Sequence, residues 1–246
     1  MAKINYRSVH RDRAKQLDDL AAILEAEGVC KDVSSLRSAA DQCRKRDVKD
    51  KLWCYDISGL LFDVNDVRHI VPSGVYDVRL SLDVSVKGEC QHEDSIDDPL
   101  VYLQIDMMIQ GRKGKDKILI CTWHFDKHVS EKGGSVPDEA HPCYHFQFGG
   151  RGMRHLTDLG ESLILSPPRL AHPPLDGILA IDFVLSNFCA SQWQQLRKNN
   201  QYSTLIMEAQ RLFWRPYASI ISSAWNPPSP RTLWQPHHVW PQLVIA

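Results

Sequence analysis

The chain has no excess of either charge, with 29 Lys and Arg against 30 Asp and Glu. Binding to nucleic acid or to a membrane surface would therefore need a local patch rather than an overall field. No apolar run approaches the roughly 20 residues that a membrane-spanning helix requires, so no membrane contact is expected. The opening Met1-Ala2-Lys3-Ile4-Asn5-Tyr6-Arg7 has none of the apolar stretch of a secretory signal. Seven cysteines, Cys30, Cys43, Cys54, Cys90, Cys121, Cys143 and Cys189, are scattered with no C-x-x-C spacing, which excludes a zinc ribbon or a paired redox motif. Free thiols in a reducing cytoplasm are the expected state. Internal repeats, a phosphate-cradling glycine loop, and the Ser-x-x-Lys and Gly-x-Ser-x-Gly signatures are also missing.

What is present is an ordinary globular composition, 43% hydrophobic and 24% charged over 246 residues, enough to bury a large core. It divides into three blocks. Residues 1–50 form a helical segment, in which Leu17, Leu20, Ala21 and Leu24 recur at i, i+3, i+4, i+7 before Gly28, and Leu36, Ala39, Ala40 and Cys43 mark a second helix after Ser34 or Ser35. Two short helices joined by a turn fit either a helix-turn-helix or a hairpin that covers a sheet, and the second is the commoner arrangement. Residues 51–225 form one α+β domain, with a meander over about 76–150 and helices over about 175–225. Residues 226–246 are a Pro- and Trp-rich tail containing Trp234, Trp240 and a terminal Leu-Val-Ile run.

The centre carries the clearest pattern. Tyr76, Val78, Leu80, Leu82, Val84 and Val86 alternate with Asp77, Arg79, Ser81, Asp83 and Ser85, and Val101 to Gln110 alternates in the same way. Gly111 to Asp116 reads as a hairpin turn into a strand that ends near Lys127, and a last strand ends at Phe148. The expectation is a four-stranded antiparallel meander, with the N-terminal helices beside it and a C-terminal helical layer on its apolar face. Trp123, Phe125, Tyr144, Phe146 and Phe148 should then face the core, and His124, Asp126 and His145 the other way.

That polar face is short of Lys and Glu, the usual solvent-facing residues. His124, Asp126 and His145 can supply nitrogen and oxygen donors to a divalent metal, or act as general base and acid on a phosphodiester. Gln104 and Asp106 adjoin them, and Arg79, Arg112, Lys113 and Lys115 are candidates to hold a phosphate. Cys143 lies between His141 and His145, but a buried, inert thiol is the default there. The sequence of a helix, a four-strand meander, the dipeptide His141-Pro142 and later helices resembles the layout of ubiquitin-conjugating enzymes. The resemblance covers the order of elements only; past the adjoining Cys143 the next cysteine is Cys189, so that family's activity is not implied.

The later chain is apolar. Ser166 to Pro174 is a rigid connector, and the helix after it has almost no polar stripe, so Asp182 within it needs a partner, for which Arg169 or His172 is nearest in sequence. Asp176 precedes Gly177 as a helix-starting carboxylate. A helix over Tyr202–Ala224 should be interrupted or kinked near Pro216. Prolines, tryptophans and no charge excess in the tail point to docking on its own domain, on a protein partner or on a second copy, with Trp234 and Trp240 as contacts. Two functions are expected from these features. One is a cytoplasmic accessory protein acting by interaction within a multiprotein complex. The other is a small histidine-dependent phosphodiesterase or nuclease, of the toxin or defence kind, working from the His/Asp cluster.

Overall fold

The computed structural model describes residues 4–64, 73–92, 94–115, 117–128, 141–149, 153, 170–225 and 234–240. Two helices come first. Helix α1, Tyr6–Ala26, starts at Asn5, whose side chain accepts from the Ser8 N–H, and it buries His10, Ala14, Leu17, Leu20, Ala21, Ile23 and Leu24 along one stripe. Helix α2, Ser34–Arg44, buries Leu36, Ala39, Ala40 and Cys43. The two pack on each other as a hairpin, with α2 against the sheet.

The sheet is an antiparallel meander in the order β1-β2-β3-β4-β5-β6. Its strands are β1 Leu52–Asp63, β2 Val75–Glu89, β3 Leu100–Lys113, β4 Lys117–Lys127, β5 Tyr144–Phe148 and β6 Leu170–Ala171. The expected four are therefore β2 to β5, and the sheet has six. In β1 the buried residues are Trp53, Tyr55 and Ile57, then Leu60 and Phe62, so the phase of alternation changes midway. The cause is a bulge between Ile57 and Leu60, where the register with β2 shifts. Gly59 takes φ +62° there, a left-handed conformation that favours glycine, and its N–H donates to Asp83 Oδ1 at 2.8 Å.

One face of the sheet is apolar. A transverse row of Ile57, Val84, Ile105, Phe125 and Phe146 crosses five strands in register, and each of these residues is buried. Trp53 packs edge-on against Phe213 of the C-terminal layer, with ring centroids 6.2 Å apart. Trp123 and Phe148 share the apolar side but are half-buried, packed on each other at 5.2 Å. That layer comprises α3 Gly177–Phe188, α4 Ala190–Leu196, α5 Asn200–Ser223 and the single turn α6 Pro236–Val239.

Helix α3 is buried on nearly every side, as its lack of a polar stripe requires. Asp176 caps it, with Oδ1 accepting from the Leu179 N–H at 3.0 Å. Asp182 is partnered differently from the sequence expectation. Its oxygens accept from Trp193 Nε1 at 2.8 Å, Tyr202 OH at 3.0 Å and Arg197 Nη2 at 2.8 Å. Local helix geometry decides this, because α4 and α5 fold back over α3, whereas His172 packs among Phe125, Phe146 and Phe183 and Arg169 lies outside the described residues. Pro216 does not interrupt α5, which runs through it unbroken.

Candidate functional site

The open face of the sheet carries polar residues in cross-strand rows. One row runs Asp56, Ser85, Gln104, Asp126, His145, and the next runs Asp83, Asp106, His124, Gln147. Pairing in register thus brings His124, Asp126 and His145 onto one surface, with Gln104 and Asp106 beside them. Along β3, Tyr102 OH donates to Gln104 Oε1 and Gln104 Nε2 donates to Asp106 Oδ2, both at 2.8 Å. This side-chain ladder fixes the Asp106 carboxylate beside His124.

His145 behaves unlike the rest of this face. It is 1% exposed, although its neighbour across the strands, Asp126, is 38% exposed. Its Nδ1 lies 3.0 Å from the carbonyl oxygen of Pro142, which can only accept, so this nitrogen carries a proton. Its Nε2 lies 3.1 Å from Asp126 Oδ1. The approach is off-axis, and Asp126 Oδ1 is buried without an aligned hydrogen bond. The His141 ring stands edge-on to His145 at 4.6 Å, and His128 stacks on His141 at 4.0 Å. The protein therefore holds Nδ1 of His145, and Nε2 faces the Asp126 carboxylate.

Among the described residues, no group of three or more His, Cys, Asp or Glu side chains is placed to hold a metal ion. His124 and Asp126 are two residues apart on one strand, about 7 Å along it, and His145 turns its nitrogens to Pro142 and Asp126. The donors share a face without converging on a point.

The basic candidates lie elsewhere. Asp126 stands opposite Gln104, Arg79 opposite Gln110, and Arg112 opposite Ile118. Arg79 is thus about 20 Å and Arg112 about 26 Å from the Gln104 row at 3.3 Å per residue. Arg79 is paired with Asp63 and Asp77, and Arg112 with Asp77. Lys113 and Lys115 flank Gly114 at the tip of the β3–β4 turn, farther still from His145. Asp77 takes φ +54° between these guanidinium groups, a left-handed conformation that Asp adopts more readily than most residues. Lys31 reaches Asp63 at 2.8 Å and holds its carboxyl below the ordinary range.

At the opposite end of the sheet, sequence reasoning missed a part-buried cluster. Asp98 accepts from Tyr144 OH at 2.7 and 2.9 Å and pairs with Lys127 Nζ at 2.8 Å. Lys127 Nζ also lies 5.8 Å from the Tyr144 ring centroid. Asp98 sits in the run before β3, where nothing in the residue pattern marks it; only the strand pairing brings it to Tyr144. Beside it, burial pushes the Cys143 thiol up to about 12, and the nearby Asp98 carboxylate adds to the effect. A thiol held neutral in this way is a weak nucleophile. Trp234 is 8% exposed and packs against Tyr144 and Tyr217, whereas Trp240 is 37% exposed.

Comparison with protein-family models, with curated proteins and with solved structures gives no match to this chain.

Proposed function

We propose that the chain is a non-catalytic interaction protein that works within a multiprotein complex and meets its partner through its tryptophan-bearing C-terminal end. The observation that carries this reading is the contrast among tryptophans: Trp53 is 1% exposed, while Trp225 at the end of α5 is 61% and Trp240 is 37% exposed. Large aromatic surface left to solvent beside well-buried anchors is typical of contact sites. Seven free thiols suit a reducing, cytoplasmic setting. Among the described residues no helix is long and apolar enough to cross a membrane.

The competing phosphodiesterase or nuclease reading has the His/Asp face in its favour. Against it stand the Nδ1 of His145, held by the Pro142 carbonyl, and the pairing of Arg79 and Arg112 with Asp63 and Asp77, about 13 and 20 Å along the sheet from the His124 row. General acid–base chemistry needs a ring nitrogen within hydrogen-bond reach of the reacting group.

A photo-crosslinker placed at Trp240 should capture a protein partner or a second copy of the chain, and adding W225A should weaken that adduct without lowering the melting temperature. A parallel assay on DNA, RNA and a cyclic dinucleotide, with Mg2+ or Mn2+, should show no turnover by the intact chain above that of H124A. Turnover lost in H124A, with no adduct at Trp240, would overturn the interaction reading in favour of the enzyme.

A further inference from the structure

We propose that residues 234–240 form a strap that closes over Cys143 and opens locally, exposing this thiol while the rest of the fold stays intact. The segment is laid across the β5 end of the sheet. The Cys143 N–H donates to the Val239 carbonyl at 3.0 Å, Val239 is fully buried, and the Trp234 indole turns its N–H to the Cys143 sulfur. The Trp234 ring stands on Tyr144 at 6.4 Å and Tyr217 at 6.2 Å. These contacts close the corner where the Asp98–Lys127 pair meets Tyr144.

The strap has little structure of its own. Its helix α6 is a single turn of four residues, Pro236–Val239, and an isolated turn does not persist in water. Its position therefore rests on tertiary contacts: Trp234 on Tyr144 and Tyr217, the buried Pro236 and Val239, packing on α5 and the bond to Cys143. An element with no persistent helix of its own, held by side-chain contacts, opens at lower free energy than the core. Cys30 provides an internal reference. It lies just after α1, is 2% exposed against 7% for Cys143, and its thiol is likewise pushed up to about 12 by burial. Both thiols are thus shielded by burial, and the urea dependence of labelling separates local from global opening.

Trp240 adjoins the buried Val239, so a partner that takes hold of Trp240 acts directly on the strap. That coupling rests on the interaction reading above. The opening itself does not, and the two ideas fail separately.

The test is alkylation of the full chain by iodoacetamide, read peptide by peptide in a mass spectrometer. The thiolate forms a C–S bond, iodide leaves and the thiol proton passes to buffer. Cys143 should be alkylated at least about tenfold faster than Cys30, at a rate that stays flat over low urea concentrations in which the Cys30 rate climbs. W234A should accelerate Cys143 further and leave Cys30 unchanged. Equal rates with the same urea dependence in the unaltered chain would overturn the proposal, since Cys143 would then be reached only by global unfolding. A W234A chain in which both thiols speed up together would count against it in the same way.

Discussion

At the scale of single residues, Asp176 shows how burial and capping oppose each other. Its Oδ1 closes the first turn of α3, and its Oδ2 lies 3.3 Å from Tyr55 OH, yet the residue is wholly buried. Desolvation raises its carboxyl above the ordinary range, while Arg13, the Leu179 N–H and the Tyr55 hydroxyl pull the other way. A carboxyl raised in the folded state favours folding fully below its unfolded value near 3.9, and this contribution is lost as pH rises through the folded value. Asn keeps the cap and removes the charge. Urea melts at several pH values should therefore show D176N gaining on the parent as pH rises above about 4. At every pH D176A should fall about 1 kcal/mol below D176N, from loss of the cap. The same tension limited what could be read at the candidate site. Alternation places Asp126 and His145 on one face, but period two says nothing of what covers that face. The Pro142 carbonyl and the His141 ring, which bury His145, come from the turn into β5 and leave no periodic trace.

At the scale of elements, the strands legible in the sequence are those with uninterrupted alternation. Strand β2 keeps Leu80, Leu82, Val84 and Val86 on one side, and β3 keeps Leu103, Ile105 and Met107. Strand β1 is hidden because the bulge at Gly59 moves its apolar residues from odd to even positions, and β6 is too short, at two residues, to carry a pattern. Strand β1 is also an edge, and an edge needs protection from pairing with another chain. Here α2 supplies it. The Asp56 N–H donates to Gln42 Oε1 at 2.8 Å, and Gln42 Nε2 donates to the Asp56 carbonyl at 3.3 Å, so one side-chain amide takes the place of a neighbouring strand residue. Cys43 Sγ points at the Cys54 carbonyl, one step along the same edge. Replacing Gln42 by Ala returns both Asp56 groups to solvent. The expected cost is about 1 kcal/mol of stability, together with self-association that grows with concentration in light scattering. A Q42A chain that stayed monomeric at high concentration would mean that α2 shields the edge by bulk alone.

At the scale of the whole molecule, the core does not stop at residue 50. Buried residues from α1 through α6 belong to one hydrophobic cluster. The N-terminal helices reach the rest of the fold through several chemically different contacts. Arg13 lies over the rings of Trp53 and Phe213, at 5.4 and 5.6 Å. Gln16 Nε2 donates to Glu208 of α5 at 2.9 Å, and buried His10 lies 3.7 Å from the Cys90 thiol at the end of β2. Sequence periodicity identified the stripe of α1 but not its destination, because amphipathicity specifies that a face is buried and not what it meets. Leu17, Leu20, Leu24 and Leu36 are at most 1% exposed. At about 1.5–3 kcal/mol each, burial of four such side chains is worth about 6–12 kcal/mol. That matches the entire net stability of a typical domain, about 5–15 kcal/mol. A chain lacking residues 1–50 should therefore fail to fold, with no cooperative thermal transition by circular dichroism, while the full chain melts in a single step. If the shortened chain instead melted as sharply as the intact one, the sheet and C-terminal helices would form a self-sufficient domain with the helical hairpin as an accessory.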